Sequence, residues 1–211
     1  MKQVARTIWS DMLPRSPVFT TADVASAAGT TLANASRDLT AMTRERLVTH
    51  VRRGLWAVTS HPDFSPYAVV PYLFRKPSIG YVSLLSALNL HGMIDQIPAA
   101  IQVITTVQRP SLDTPVGRFE FYQIQPELFG GFQKHRPSWS FDIADSEKAL
   151  FDALYLSARK RRRFSHLPEL ELPTSFPEQS LFRWISRVRH PPLRRAIEIR
   201  WEKMRDRVRN E

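Results

Sequence analysis

Near the amino end of the chain, hydrophobic positions recur at helical spacing. Val4, Ile8, Met12 and Leu13 predict a first helix from Gln3 to Leu13, ended by Pro14 and Pro17. Phe19-Thr20-Thr21-Ala22-Asp23 predicts a second helix reaching Ala28, with a threonine cap, an acid in the first turn, and Phe19 placed to staple onto the next turn. Gly29 suits the position just past its end. A third helix, capped by Thr30 or Thr31, places Leu32, Ala35, Leu39 and Met42 on an apolar face, predicted to pack on the first two helices. Its other face holds Ala33, Asn34, Arg37, Thr40, Ala41 and Arg44. The period then changes from helical to alternating: Leu47, Thr49 and Val51, then Arg52-Arg53-Gly54, then Leu55, Trp56 and Val58. This predicts a short hairpin with arginines at its tip and Trp56 packing it onto the helices.

Ser60 to Gly80 contains Pro62, Pro66, Pro71 and Pro77 and reads as a connector with one short helix starting at Pro66. Gly80 to Ser83 is expected to open a helix through Leu84, Leu85, Ala87, Leu88 and Leu90, ended by His91-Gly92. Ile101–Val107, Gly117–Ile124 and Trp139–Ile143 read as strands. Ala144-Asp145-Ser146-Glu147 starts a helix with acids in its first turn, followed by the apolar positions Ala149, Leu150, Ala153 and Leu154. After a loop from Pro168 to Pro177, two helices are expected, Ser180–Val188 and one from Pro192 carrying Leu193, Ile197, Trp201, Met204 and Val208 on one face. The pattern leaves open whether that face packs on its own domain or mediates a homodimer.

Composition adds a partner class. The net charge of +10 is unevenly spread: residues 1–60 carry net +4, 61–158 net −2 and 159–211 net +8. Basic ends favour a polyanion, and the acidic middle calls for another role. The run Arg159-Lys160-Arg161-Arg162-Arg163 is a phosphate-binding patch or a solvated helix end. An apolar share of 43% supports packed cores, and the absence of cysteine excludes disulfides and thiolate metal sites. No apolar signal core opens the chain and no run approaches the ~20 apolar residues of a membrane span, so a cytoplasmic protein with no membrane partner is expected.

Chemistry is sparse. Gly130-Gly131 has no following Lys-Ser/Thr, and the six histidines show no metal-ligand spacing. His91 reads as a helix-end hydrogen-bonding residue. Asp145, Glu147 and Asp152, with Lys148, form the best hydrolase-like group, but their spacings on one helix are those of surface ion pairs. No catalytic residue, metal or cofactor is therefore expected. The stronger candidates lie on the third helix and the hairpin. Asn34 can bond an adenine edge in two places and Arg37 a guanine edge; Thr30, Thr31, Thr40, Arg44, Arg52 and Arg53 suit phosphates or a groove.

Three helices followed by a basic hairpin, in that order, resemble a winged helix-turn-helix. With the middle of the chain included, residues 5 to 158 resemble the AbiEi family of type IV antitoxins, regulators of viral defence systems. The motifs are Phe19-Thr20-Thr21-Ala22-Asp23-Val24-Ala25, the hairpin Leu47 to Val58, and Tyr81-Val82-Ser83-Leu84-Leu85-Ser86-Ala87-Leu88-Asn89-Leu90-His91-Gly92. Gln96-Ile97-Pro98, Ile101 to Thr106, and Ile143-Ala144-Asp145-Ser146-Glu147-Lys148-Ala149-Leu150-Phe151-Asp152 complete them. The arginine-rich helices after Leu156 match no family motif. The resemblance implies a winged module that binds promoter repeats of its own operon and represses it. It also implies a second domain that neutralises a co-encoded nucleotidyltransferase toxin, for which direct contact is not required.

The expected protein is α+β: a winged helix-turn-helix over 1–60, a Pro-rich connector over 61–79, and a small mixed α/β domain with Arg-rich terminal helices over 80–211. It is expected to be a non-enzymatic repressor and antitoxin partnered by double-stranded DNA and a toxin. The alternatives are a stand-alone transcription factor whose middle domain senses a ligand or dimerises, and a DNA-targeted nuclease using Asp145, Glu147 or Asp152.

Overall fold

The computed structural model describes residues 1–74, 79–135, 141–159 and 168–208. The protein is mixed α+β, with two separate sheets. The chain divides into two units. The first is Met1–Arg75 with Leu112–Arg118 and His135–Phe141; the second is Lys76–Ser111, Phe119–Lys134 and Asp142–Glu211.

In the first unit, α1 (Lys2–Thr7) widens into a π turn over Ile8–Met12. Strand β1 (Val18–Thr20) leads directly into α2 (Thr21–Ala27). Thr20 closes a reciprocal cap: its hydroxyl accepts from the Asp23 N–H at 3.1 Å, and its own N–H donates to the Asp23 carboxylate at 2.8 Å. Thr31 caps α3 (Leu32–Arg44) by accepting from the Asn34 N–H at 3.2 Å. Strands β2 (Thr49–Arg52) and β3 (Leu55–Ala57) form the hairpin. The sheet order is β1-β3-β2, antiparallel throughout. Phe19, expected to staple onto the first turn of α2, lies in β1 opposite Trp56 and is buried in the same core as Val24 of that turn. Ile8, Val24, Leu39, Met42 and Trp56 join the three helices and the hairpin in one core.

Two helix ends in this unit use the same left-handed exit. After α2, Gly29 sits at φ +59°, and the Thr30 N–H returns to the Ala25 carbonyl at 2.9 Å. After α3, Arg46 takes φ +58°, and the Leu47 N–H returns to the Met42 carbonyl at 3.0 Å. Glycine adopts that conformation without the Cβ clash an arginine meets. Because Arg46 is exposed, Arg46→Gly is expected to raise stability by about 0.5–1 kcal/mol, read as a higher urea midpoint at unchanged slope.

The Pro-rich stretch 61–79 holds a 3-10 helix, Pro66–Leu73, with Ala68, Val69, Val70 and Leu73 buried in the first unit. The Tyr72 hydroxyl donates to the Val18 carbonyl at 3.0 Å, fastening this stretch to β1.

The second sheet runs β6-β7-β5-β4-β9-β8, with β4 Gly80–Val82, β5 Ile101–Thr105, β6 Leu112–Thr114, β7 Gly117–Gln123, β8 Phe132–His135 and β9 Phe141–Ala144. Gly80 to Val82, expected as part of a helix, forms a central strand: Tyr81 and Val82 are fully buried between antiparallel β5 and parallel β9. Helix α4 (Leu84–Leu90) follows β4 at once, and α5 (Ser146–Ala158) follows β9. Two further helices, α6 (Glu178–Ser186) and α7 (Pro191–Val208), pack on α5. Ile197 and Trp201 of α7 are buried. The Trp201 indole N–H and Arg205 both bond the Glu178 carboxylate at 3.2 Å, so the terminal helix is seated on its own unit. Among the described residues no helix is long and apolar enough to cross a membrane.

Candidate nucleic-acid interface

The periodicity of α3 separates its faces. Ala35, Leu39 and Met42 are buried, while Ala33, Asn34, Arg37, Thr40 and Arg44 are exposed. The side chains of Asn34, Arg37 and Arg44 make no hydrogen bond or ion pair among the described residues, so their donors and acceptors are open to a ligand. Thr40 differs, because its hydroxyl donates to the Ser36 carbonyl at 2.8 Å. Thr31 is committed as acceptor to the helix cap and keeps its O–H, and Thr30 is half-buried. Leu32 departs from expectation: assigned by spacing to the packed face, it is 60% exposed. It lies in the first turn, where the apolar face has no earlier helical turn to cover it.

The hairpin is held at its base. The Trp56 indole N–H donates to the Thr21 hydroxyl at 2.8 Å, and the Thr21 N–H donates to the Gly54 carbonyl at 3.0 Å. Both bonds fasten β3 and the tip to the start of α2. His50 lies over Trp56 with ring centroids 4.5 Å apart. A bulge between His50 and Arg52 turns Val51 into the core. Arg52 is left half-buried and Arg53 exposed at the tip, neither with a partner among the described residues. The result is a cationic tip on a pinned base.

Of the arginine run, Arg159 is exposed, with its guanidinium 5.6 Å from the centroid of the Tyr155 ring. Lys160, Arg161, Arg162 and Arg163 lie outside the described residues.

The second unit contains a polar cluster that spacing alone misassigned. Lys148 and Asp152, expected as a surface ion pair, are 0% exposed. Lys148 Nζ bonds one oxygen of the Asp152 carboxylate. The other oxygen accepts from Ser83 Oγ at 2.8 Å and from the Tyr81 hydroxyl at 3.1 Å. Burial pushes the Asp152 carboxyl up, opposed by Lys148 and the two hydroxyls. Burial likewise pushes the Lys148 ammonium down, opposed by Asp152. The Tyr81 hydroxyl is raised by burial and then by the adjacent Asp152 charge. Three rings surround the ammonium, with centroids at 4.7 Å (Trp184), 4.9 Å (Phe151) and 5.6 Å (Tyr81). Gly131 leaves room for this stack: a Cβ there would lie 2.6 Å from Trp184 and 3.0 Å from the Lys148 stem.

This cluster is built from the end of β4, Ser83 and α5, and a tight turn joins β4 to α4. Leu84, fully buried, takes φ +56° between Ser83 and the body of α4, and the Leu85 N–H is held by Gln102 Oε1 at 2.9 Å. Nearby, His91 Nε2 bonds the Ala144 carbonyl at 2.7 Å, tying the end of α4 to the end of β9. Asp152 is thus saturated with donors inside the core. Among the described residues no group of three or more His, Asp or Glu side chains is placed to hold a metal ion.

Known protein-family models and the curated proteins yield no match to this chain.

Proposed function

We propose that the first unit is a winged helix-turn-helix that binds double-stranded DNA, and that the protein is the repressor and antitoxin of a type IV toxin–antitoxin operon. The observation that carries the DNA reading is the uncommitted outer face of α3, with Asn34, Arg37 and Arg44, in one unit with a pinned hairpin that ends in Arg52 and Arg53. A helix enters the major groove with its amino end nearest the base edges, and Asn34 and Arg37 carry the paired groups that adenine and guanine present there. The hairpin arginines hold the phosphate backbone. The antitoxin half rests on the motif resemblance, which places the neutralising role beyond the DNA-binding unit. Asp152, closed off by three donors, is a structural residue in this reading and not a nuclease ligand.

Co-expression with the co-encoded nucleotidyltransferase, scored by growth, tests both halves at once. Because the first unit takes in segments from three parts of the chain, point variants separate the roles more cleanly than a truncation. Arg37→Ala with Arg52→Ala and Arg53→Ala is expected to release a promoter reporter while still rescuing growth. Loss of rescue would make antitoxicity depend on DNA binding. A neighbouring gene with no effect on growth would leave a stand-alone regulator.

A further inference from the structure

Helix α6 buries Leu181 and Ile185 and leaves Gln179, Phe182, Arg183 and Ser186 exposed, together with Arg187 at its end. At helical spacing these exposed residues form one continuous arc. Gln179, Arg183 and Arg187 stand four apart in one column, and Phe182 and Ser186 stand four apart in the next. Glu178, the single acid of the helix, is engaged by Trp201 and Arg205. Arg183 and Arg187 are therefore like charges one turn apart with no acid between them, a pairing that lowers helix stability. Cations near a helix end complement its dipole, but the dipole has no use for Phe182, whose ring is 44% exposed in the adjoining column.

Arg187 is held in place by stacking. Its guanidinium lies 4.2 Å from the Trp184 ring centroid, and the stack continues through Phe151 and Tyr155, each step 5.9 Å, to Arg159 at 5.6 Å. Phe151 and Tyr155 belong to α5, so the guanidinium is fastened to the core of the unit while its N–H groups find no acceptor among the described residues. Trp184 also carries the Lys148 ammonium at 4.7 Å. Two cations thus share one ring, and an anion beside Arg187 offsets their repulsion. A preordered guanidinium edge, a second arginine one turn back and an open flat ring fit one kind of ligand. Phosphates suit the arginines, and an unstacked base suits the ring. A duplex keeps its bases stacked on one another, and an acidic peptide brings charge without a flat face.

We infer that the outer face of α6 binds single-stranded nucleic acid, with Arg183 and Arg187 on phosphates and Phe182 stacked on a base. The site lies wholly in the second unit and goes beyond the promoter-binding role proposed for the first. The net charge of +8 over residues 159–211 adds long-range attraction for a polyanion.

The test uses the full-length chain carrying Arg37→Ala, Arg52→Ala and Arg53→Ala, so that the first unit contributes little. Its probes are a labelled single-stranded oligothymidine of about 12 nucleotides and an abasic oligomer with the same phosphates. The protein is expected to bind oligothymidine about fivefold or more tightly than the abasic oligomer, the value of one stacked base. Adding Phe182→Ala is expected to make the two probes equal and leave the salt slope unchanged. Phe182 is exposed, so this variant should melt like its parent. Adding Arg183→Ala with Arg187→Ala is expected to weaken both probes about tenfold near 0.1 M salt and to flatten the salt slope by up to about 1.4 units. No binding of oligothymidine, equal binding of both probes before Phe182 is replaced, or a base preference that survives Phe182→Ala overturns the inference. The promoter reading is tested separately, on the promoter duplex with the unsubstituted protein.

Discussion

Asp152→Ala is expected to destabilise the second unit by about 3–5 kcal/mol, with Asp152→Leu combined with Lys148→Met recovering most of that loss. The single substitution removes the one acceptor shared by the Lys148 ammonium and the hydroxyls of Ser83 and Tyr81, all fully buried. Three donors are then stranded in a site closed by Trp184 and Phe151. An unpaired buried ammonium costs far more than the net worth of the pair, because the attraction in the intact pair is largely offset by what both charges lost on leaving water. The double variant removes both charges and keeps the apolar volume, and only the two hydroxyls lose a partner. Hydrogen exchange over α5 reads the effect locally, which matters because a chain of two units need not unfold in one step. A double variant as unstable as the single one would mean that packing, not charge, holds the cluster. The same pair of variants bears on the nuclease alternative. A metal-binding aspartate would lose cleavage without loss of stability, whereas a carboxylate with this many donors loses stability first.

The cluster also shows what the chain discloses by itself and what it withholds. Lys148 and Asp152 stand four residues apart, the spacing of an exposed ion pair, and that spacing carries no information on burial. The readable sign lay between and beyond them: Ala149, Leu150, Phe151, Ala153, Leu154, Tyr155 and Leu156 make α5 apolar around its whole circumference, the mark of a helix with no solvent face. Helices with caps were legible because the cap is local chemistry, as with Thr20 and Asp23 or Thr31. Strands β1 and β4 were not, because each has three residues and abuts a helix, so no alternation develops. Their state is decided by partners distant in sequence, β3 for the first and β5 and β9 for the second. On α3, helical phase predicts the exposure of Asn34, Arg37 and Arg44. Leu32 escaped because phase assumes a neighbouring turn on each side, and the first turn has only one. The commitment of the Thr40 hydroxyl to Ser36 is equally invisible to phase, and it removes that residue as a free donor.

Substituting Arg37, Arg52 and Arg53 together by alanine is expected to lower affinity for the protein's own promoter about a thousandfold near 0.1 M salt, and the components separate by the way each fails. Arg37 faces outward near the middle of α3 with no partner to give up, so its loss alone removes one bidentate base contact, about 1–3 kcal/mol on the promoter and little on random DNA. Arg52 and Arg53 sit on the hairpin tip, and the proposed role has them meet phosphate. Their loss falls on all sequences and flattens the plot of log affinity against log salt by up to about two units, each contact releasing close to one counterion. Arg52 is half-buried and Arg53 exposed, so Arg53→Ala alone is expected to account for the larger share of the change in slope. Fluorescence anisotropy on promoter and random duplexes across a salt series gives all of these quantities from one set of titrations. An Arg37→Ala loss of equal size on both duplexes would move Arg37 from base reading to phosphate holding. A slope unchanged by the hairpin double variant would take β2 and β3 off the backbone and leave α3 to act without a wing.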